Sequence, residues 1–298
     1  MNYHFIKRSL ISQNLRQFLC QQGFSKTQLK QLQYHNGHVY VNHKRRYWNY
    51  QLRPNDEIIV TLPQEQGSDQ ILPQQGTLDV LYEDDNYLFV NKPAGIASLP
   101  AKGLNSPTMA NLVKAYLQNA QLNDVIHLVS RLDRDTSGIL TFAKNAYAHH
   151  LIDQQFRTQS IAKEYLALLE GNFAKQQGEI KLAIGVDPHN HNLRCVDANG
   201  KFAWTKYQVV QQFDNFAQVR VQLITGRTHQ IRVHFAALGH PLLGDQAYGG
   251  ATDLIQRQAL HCCRFRFFDP IQDQTLTVKA PLAPDLQMIV SKKLSATE

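Results

Sequence analysis

HLVSRLDRDTSGILTFAKN, residues 127–145, sets four charged side chains, Arg131, Asp133, Arg134 and Asp135, directly before Thr136-Ser137-Gly138 and an apolar strand over 139–143. Charges between apolar strands are costly unless exposed or paired. If the segment is extended, Arg131, Asp133 and Asp135 project to one side. An Asp flanked by Arg stays ionised even when partly desolvated, as a carboxylate nucleophile requires. The plainer reading is a surface turn in which Asp135 and Ser137 bond backbone amides. From chemistry alone both readings stay open.

Upstream, LDVLYEDDNYLFVNKPAG (78–95) reads as two apolar strands around a turn at 83–86, and 108–118 reads as a helix with Leu112 and Tyr116 at i, i+4. Downstream, AKEYLALLEG (162–171) puts Lys163, Tyr165, Ala167 and Leu169 on one strand face. A Tyr there is a core aromatic with a bonded hydroxyl, a stacking platform or a proton acceptor. In LITGRTHQIRVHFAALGHPLLGDQAYGG (223–250), Thr225-Gly226 ends a strand and Thr228 can cap a helix whose face is Ile231, Phe235 and Leu238. Arg227 and the free N–H groups of that helix make an anion site. Arg232 lies off the apolar seam; a buried Arg needs a carboxylate, and Asp133 is the natural candidate. Strands and helices mix without strict alternation and hairpins outnumber crossovers. That predicts an α+β domain over 78–290 with a mixed, largely antiparallel sheet, and a tail over 291–298.

The chain has 298 residues and a formal net charge of +7, enough length for about two domains. Residues 1–60 hold nine Lys and Arg (Lys7, Arg8, Arg16, Lys26, Lys30, Lys44, Arg45, Arg46, Arg53) against Asp56 and Glu57, so the whole excess sits there. Such asymmetry suggests a polyanion-binding module joined to a neutral domain. Leu15, Phe18 and Leu19 mark a first helix stopped by Gly23. Ser25 caps a second, Asn36-Gly37 and Arg53–Asp56 are turns, and strands follow over 38–42 and 58–60. This order predicts a small α/β module over 1–62. Lys26 and Lys30 share one exposed helical face, Lys44-Arg45-Arg46 follows the first strand, and Tyr47, Trp48 and Tyr50 are placed to stack on bases or simply to pack. PQEQGSDQILPQQGT (63–77) reads as a linker or surface strap.

No apolar run approaches a membrane span, and the N-terminus lacks the apolar core of a signal peptide. Cys20, Cys195, Cys262 and Cys263 show no C-x-x-C spacing and read as reduced thiols of a cytoplasmic protein. Phosphate-loop, dinucleotide and zinc-protease motifs do not occur. His229, His234 and His240 are spaced off a common helical face, and His149-His150, His189 and His191 read as exposed and inert. No metal or cofactor is expected.

RLDRDTSG, KEYLALLEG, AWTKYQVV and TGRTHQIRVHFAALGHPLLGDQAYG, in this order, resemble the RluA-type, large-subunit pseudouridine synthases over about residues 78–290. GFSKTQLKQLQYHNGHVYVNHKRR and LRPNDEIIV resemble the small RNA-binding fold named after the fourth protein of the ribosomal small subunit. Ser130 departs from the first pattern, which usually has His before R-L-D.

The resemblance implies an isomerase that converts uridine to pseudouridine in ribosomal RNA, or in transfer RNA, without a cofactor. Asp133 would be its catalytic residue, with Tyr165 against the uracil and relaying the proton from carbon five. Arg232 would pair with Asp133, and Arg131 would fill the space the flipped uridine leaves or bind its backbone. Lys26, Lys30, Lys44, Arg45, Arg46 and Arg227 are the expected RNA contacts, and a monomer is the expected state. Loss of Asp133, Tyr165 or Arg232 would mark a non-catalytic RNA-binding or assembly factor instead, and all three are present. A metal-dependent hydrolase would need further carboxylate or His ligands at matching spacing.

Overall fold

A ten-stranded sheet carries most of the chain, with eight strands in one path and two paired off it. The computed structural model describes residues 1–65, 71–101, 106–122 and 124–294. Strand pairs in this sheet are antiparallel except one, where Ser137–Ala143 meets Leu260–Asp269 in parallel at Ser137↔His261 and Gly138↔Cys262. The α+β class and the largely antiparallel sheet follow the sequence reading, as does the hairpin Val80–Glu83/Tyr87–Lys92.

Ser137–Ala143 is buried along its whole length, as a strand covered on both faces must be. It continues the charged stretch directly, so the R-L-D-R-D run lies at the edge of the core. Gly138 is required at the join: its φ is +103°, and a Cβ there would come within 2.2 Å of the Cys262 carbonyl oxygen.

Residues 1–61 form a second, smaller sheet with the strand order Asn2–Ile6, Glu57–Thr61, His38–Val41, Lys44–Arg45. Helices Leu15–Gln21 and Lys26–Tyr34 begin at Asn14 and Ser25, each closed by a capping box with Gln17 or Gln28. The strand Asn2–Ile6 was not expected; it pairs with Glu57–Thr61 and joins the two ends of the module. Lys44 and Arg45 form a short edge strand rather than a free connection.

The module is not loosely tethered. One helix, Ala146–Arg157, serves two cores: Tyr147 and Leu151 pack with the N-terminal residues, and Ala148 and Ile152 pack into the main core. The two i, i+4 pairs lie side by side on adjacent helical faces. Phe24 stacks on Tyr147 at 4.0 Å, Tyr147 donates to the Gln22 carbonyl at 2.6 Å, and Gln28 donates to the Ala146 carbonyl at 2.9 Å.

Several local expectations shift. In the helix Met109–Asn119 the buried face is Met109, Ala110, Val113 and Leu117, while Leu112 and Tyr116 are half-buried. Of the segment expected to link the domains, residues 66–70 lie outside the described residues. The rest is a strap: Glu65 accepts from Ala146 N at 2.8 Å and Asn111 donates to the Leu72 carbonyl at 2.7 Å. The last helix, Pro284–Leu294, runs through the boundary expected at 290, because Leu286 and Val290 pack against Leu168, Phe213 and Phe216. His149 and His150 are half-buried, whereas His189 and His191 are exposed.

Candidate active site

The charged stretch folds as a turn rather than an extended segment, with Thr136 N donating to the Asp133 carbonyl at 3.2 Å. Asp135 therefore does not share a side with Asp133; it pairs with Arg134 at 3.2 Å. Both flanks of Asp133 are pinned. Ser98 Oγ donates to the Leu132 carbonyl at 2.8 Å and accepts from Leu132 N at 3.1 Å. The buried Lys92 amine donates to the carbonyls of Pro93, Ile96 and Arg134 at 2.9, 2.7 and 2.7 Å. Arg257, held by Asp285, donates to the Asp135 carbonyl at 3.1 Å. These bonds fix the backbone on either side of Asp133 and so set the point from which its side chain enters the cavity.

Asp133 faces a cavity of about 780 Å³ lined also by Arg131, Lys163, Tyr165, Arg227, His229 and Arg232. That size suits a nucleoside with part of its backbone. The cavity thus brings together all four residues expected to be catalytic. The expected pairing of Arg232 with Asp133 is present but secondary. Arg232 Nη1 lies 3.4 Å from Asp133 Oδ2, but its principal partner is Asp245, bonded by Nε to Oδ2 and by Nη2 to Oδ1, both at 2.7 Å. A fork-to-fork pair of this kind is the strongest geometry available to a guanidinium. Arg131 is exposed at the rim and makes no ion pair among the described residues.

Residues not anticipated complete the wall. His229, with φ +55°, precedes the helix Gln230–Ala237; its Nε2 lies 3.9 Å from Asp133 Oδ2 and its Nδ1 bonds Tyr248 Oη at 2.8 Å. Burial lowers the His229 pKa despite Asp133 beside it, which favours the neutral ring. Tyr248 also lies under Arg232, 4.7 Å from guanidinium to ring. Thr228 does not cap. The Gln230 side chain instead accepts from Arg227 N and Thr225 Oγ1, and Leu238 is exposed. Tyr165 is buried beside the cavity, its hydroxyl against the Cys262 thiol, and burial raises its pKa well above the usual phenol range. Cys262 is buried and reduced.

The cations expected to hold RNA, Lys26, Lys30, Lys44, Arg45 and Arg46, are all exposed on the N-terminal module. Tyr47 is fully outward, but Trp48 bonds Gln33 and Tyr50 packs on the module's core under Arg46, which leaves one of the three aromatics free. Arg227 is exposed at the cavity rim, its Nε donating to the Phe202 carbonyl.

The profile of a family described as RNA pseudouridylate synthase matches residues 86–237, which contain the pinned loop, Tyr165 and Arg232. The chain belongs to this family. An uncharacterised RNA pseudouridine synthase of Bacillus subtilis is 35% identical over 93% of this chain and 98% of its own length. Ribosomal large subunit pseudouridine synthase D of Neisseria meningitidis is 32% identical over 86% of this chain and 71% of its own. Among solved structures, human RNA pseudouridylate synthase domain containing 1 superposes with a TM-score of 0.58 at 26% identity, covering 74% of this chain and 97% of that one. The protein is therefore an RNA pseudouridine synthase, an isomerase of uridine in RNA. No helix among the described residues is long and apolar enough to cross a membrane.

Proposed function

We propose that Asp133 is the catalytic carboxylate of this synthase and that its substrate is a uridine of large-subunit ribosomal RNA. The observation that carries the first half is the Asp133 carboxylate, its backbone pinned from two sides, facing a nucleoside-sized cavity with the Arg232 guanidinium at 3.4 Å. The second half is supported by relatives such as the Neisseria enzyme, named for the ribosomal large subunit.

A paired uridine must first leave its stack, which costs a few kcal/mol, so loops and unstacked sites are favoured. In the cavity the bond from ribose carbon one to ring N1 breaks, the ring turns, and carbon five takes the bond. Carbon five gives its proton to solvent and the freed N1 takes one up, so the product is an isomer of the substrate and nothing is consumed. Asp133 acts at the ribose, Arg232 holds its charge in place, and Arg131 occupies the rim where the flipped nucleotide enters. Tyr165, kept protonated by burial, serves as the wall against which the ring packs.

The N-terminal module, with Lys26, Lys30, Lys44, Arg45 and Arg46 outward, binds the phosphate backbone as a small ribosomal-type RNA-binding fold would, and Arg227 extends that contact to the rim. The protein works as a monomer in the cytoplasm. Mapping pseudouridine in total RNA from cells with and without this chain tests the substrate class. Sites lost from large-subunit RNA alone support it, and sites lost only from transfer RNA overturn it.

A further inference from the structure

Lys163 stands in the same cavity without a role. It is 7% exposed and projects from the strand Ala162–Glu170 on the side of Tyr165. Its amine donates to Ser130 Oγ at 3.0 Å and lies 5.6 Å from the Tyr165 ring centre and 5.9 Å from that of Phe265. Among the described residues it has no carboxylate within 4.0 Å. The titratable neighbour across the sheet is the Cys262 thiol, which burial holds protonated.

An ammonium has three N–H donors and no acceptor. Ser130 takes one, and the remainder are left in a nearly dry site, where an unpaired cation is costly. The pairing of Ala162–Glu170 with Leu260–Asp269 slips between Glu164 and Tyr165, the kind of irregularity that re-aims side chains beside active sites. An arrangement of this sort fits a ligand that brings acceptor oxygens and, during reaction, negative charge. Uracil does both: when its bond to ribose breaks, the electron pair stays on the ring and spreads over the two carbonyl oxygens.

We propose that Lys163, tethered by Ser130, donates to a carbonyl oxygen of the extruded uracil and stabilises the charge the ring carries until carbon five rebonds to ribose. The inference rests on the isomerisation proposed for Asp133. No proton passes to or from Lys163. The bond to N1 breaks, the bond to carbon five forms, and the amine remains a fixed donor throughout, as donors aimed at developing charge do elsewhere.

The test is single-turnover tritium release from total RNA labelled with tritium at carbon five of uridine and taken from cells lacking the enzyme. RNA affinity is measured in parallel at fixed salt. Lys163→Met, close in size, should lower the rate by about 10²- to 10³-fold while affinity stays within about threefold. Lys163→Arg should recover part of that loss, and Ser130→Ala should lose about tenfold. A wild-type rate in Lys163→Met, or a rate loss matched by an equal loss of affinity, overturns the proposal. Should Lys163→Met fail to fold, Ser130→Ala decides, and a wild-type rate there overturns it. No release by the unmodified chain would sink the isomerisation reading itself, a different result from a silent variant.

Discussion

Arg232 grips Asp245 with two hydrogen bonds of 2.7 Å, and Asp245 is 2% exposed. The guanidinium thus has its own buried counter-charge and reaches Asp133 only with its remaining nitrogen at 3.4 Å. Asp133 is left with a fixed cation beside it and half of its carboxylate open to the cavity.

Removing that counter-charge should be expensive. Asp245→Asn strands a buried cation, and breaking such pairs costs about 3–5 kcal/mol. Urea unfolding should show a loss of that order, with tritium release falling in parallel because Arg232 is no longer held. An unchanged midpoint and slope would mean the pair contributes nothing.

The exposed cations should act on affinity and not on chemistry. Each phosphate-binding cation removed lowers the slope of log K against log salt by about 0.7–0.9. Replacing Lys26, Lys30, Lys44 and Arg45 by Ala should therefore cut the slope by about 3, with the single-turnover rate at saturating enzyme unaltered. Substitution is a better test than deleting the module. Deletion would strip Phe24 from Tyr147 and expose Leu151. An unchanged salt slope in the fourfold variant would remove RNA binding from this face.

His261 gives the fold a measurable acid sensitivity. It is buried, its Nδ1 bonds Ser137 Oγ at 3.0 Å, and burial, then Arg257, pushes its pKa from 6.5 down to about 4. A folded-state pKa below the unfolded one means that the stabilisation is present above about 6.5 and is lost as pH falls towards 4. Between pH 7 and 5 the linked loss is about 2 kcal/mol. Urea unfolding over that range should show this slope in the unmodified chain and a shallower one in His261→Gln. Equal slopes would show that His261 titrates normally in the folded protein.

Much of the fold was legible because local signals carry it. Ser25 with Gln28, Asn36-Gly37 and the turn at 53–56 act over three or four residues, and the hairpin over 80–92 follows from two apolar runs around Asp84–Asn86. The illegible parts depend on distant partners. Asp245 lies thirteen residues from Arg232, on a loop turned by Gly244 at φ +73°, and nothing in sequence separates it from Asp133 as a counter-ion. His229 reaches the site only because its backbone adopts φ +55°. The docking of the N-terminal module does carry a local signal: Tyr147 with Leu151, and Ala148 with Ile152, form two apolar stripes on one helix, one more than a single core needs.

The most direct test of the account is Asp133→Asn, which keeps the shape of the side chain and removes its charge. Tritium release from RNA labelled at carbon five of uridine should fall to background while RNA affinity and the unfolding midpoint stay near those of the unmodified chain. Release at the normal rate from that variant would contradict the assignment of Asp133 as the group that performs the isomerisation.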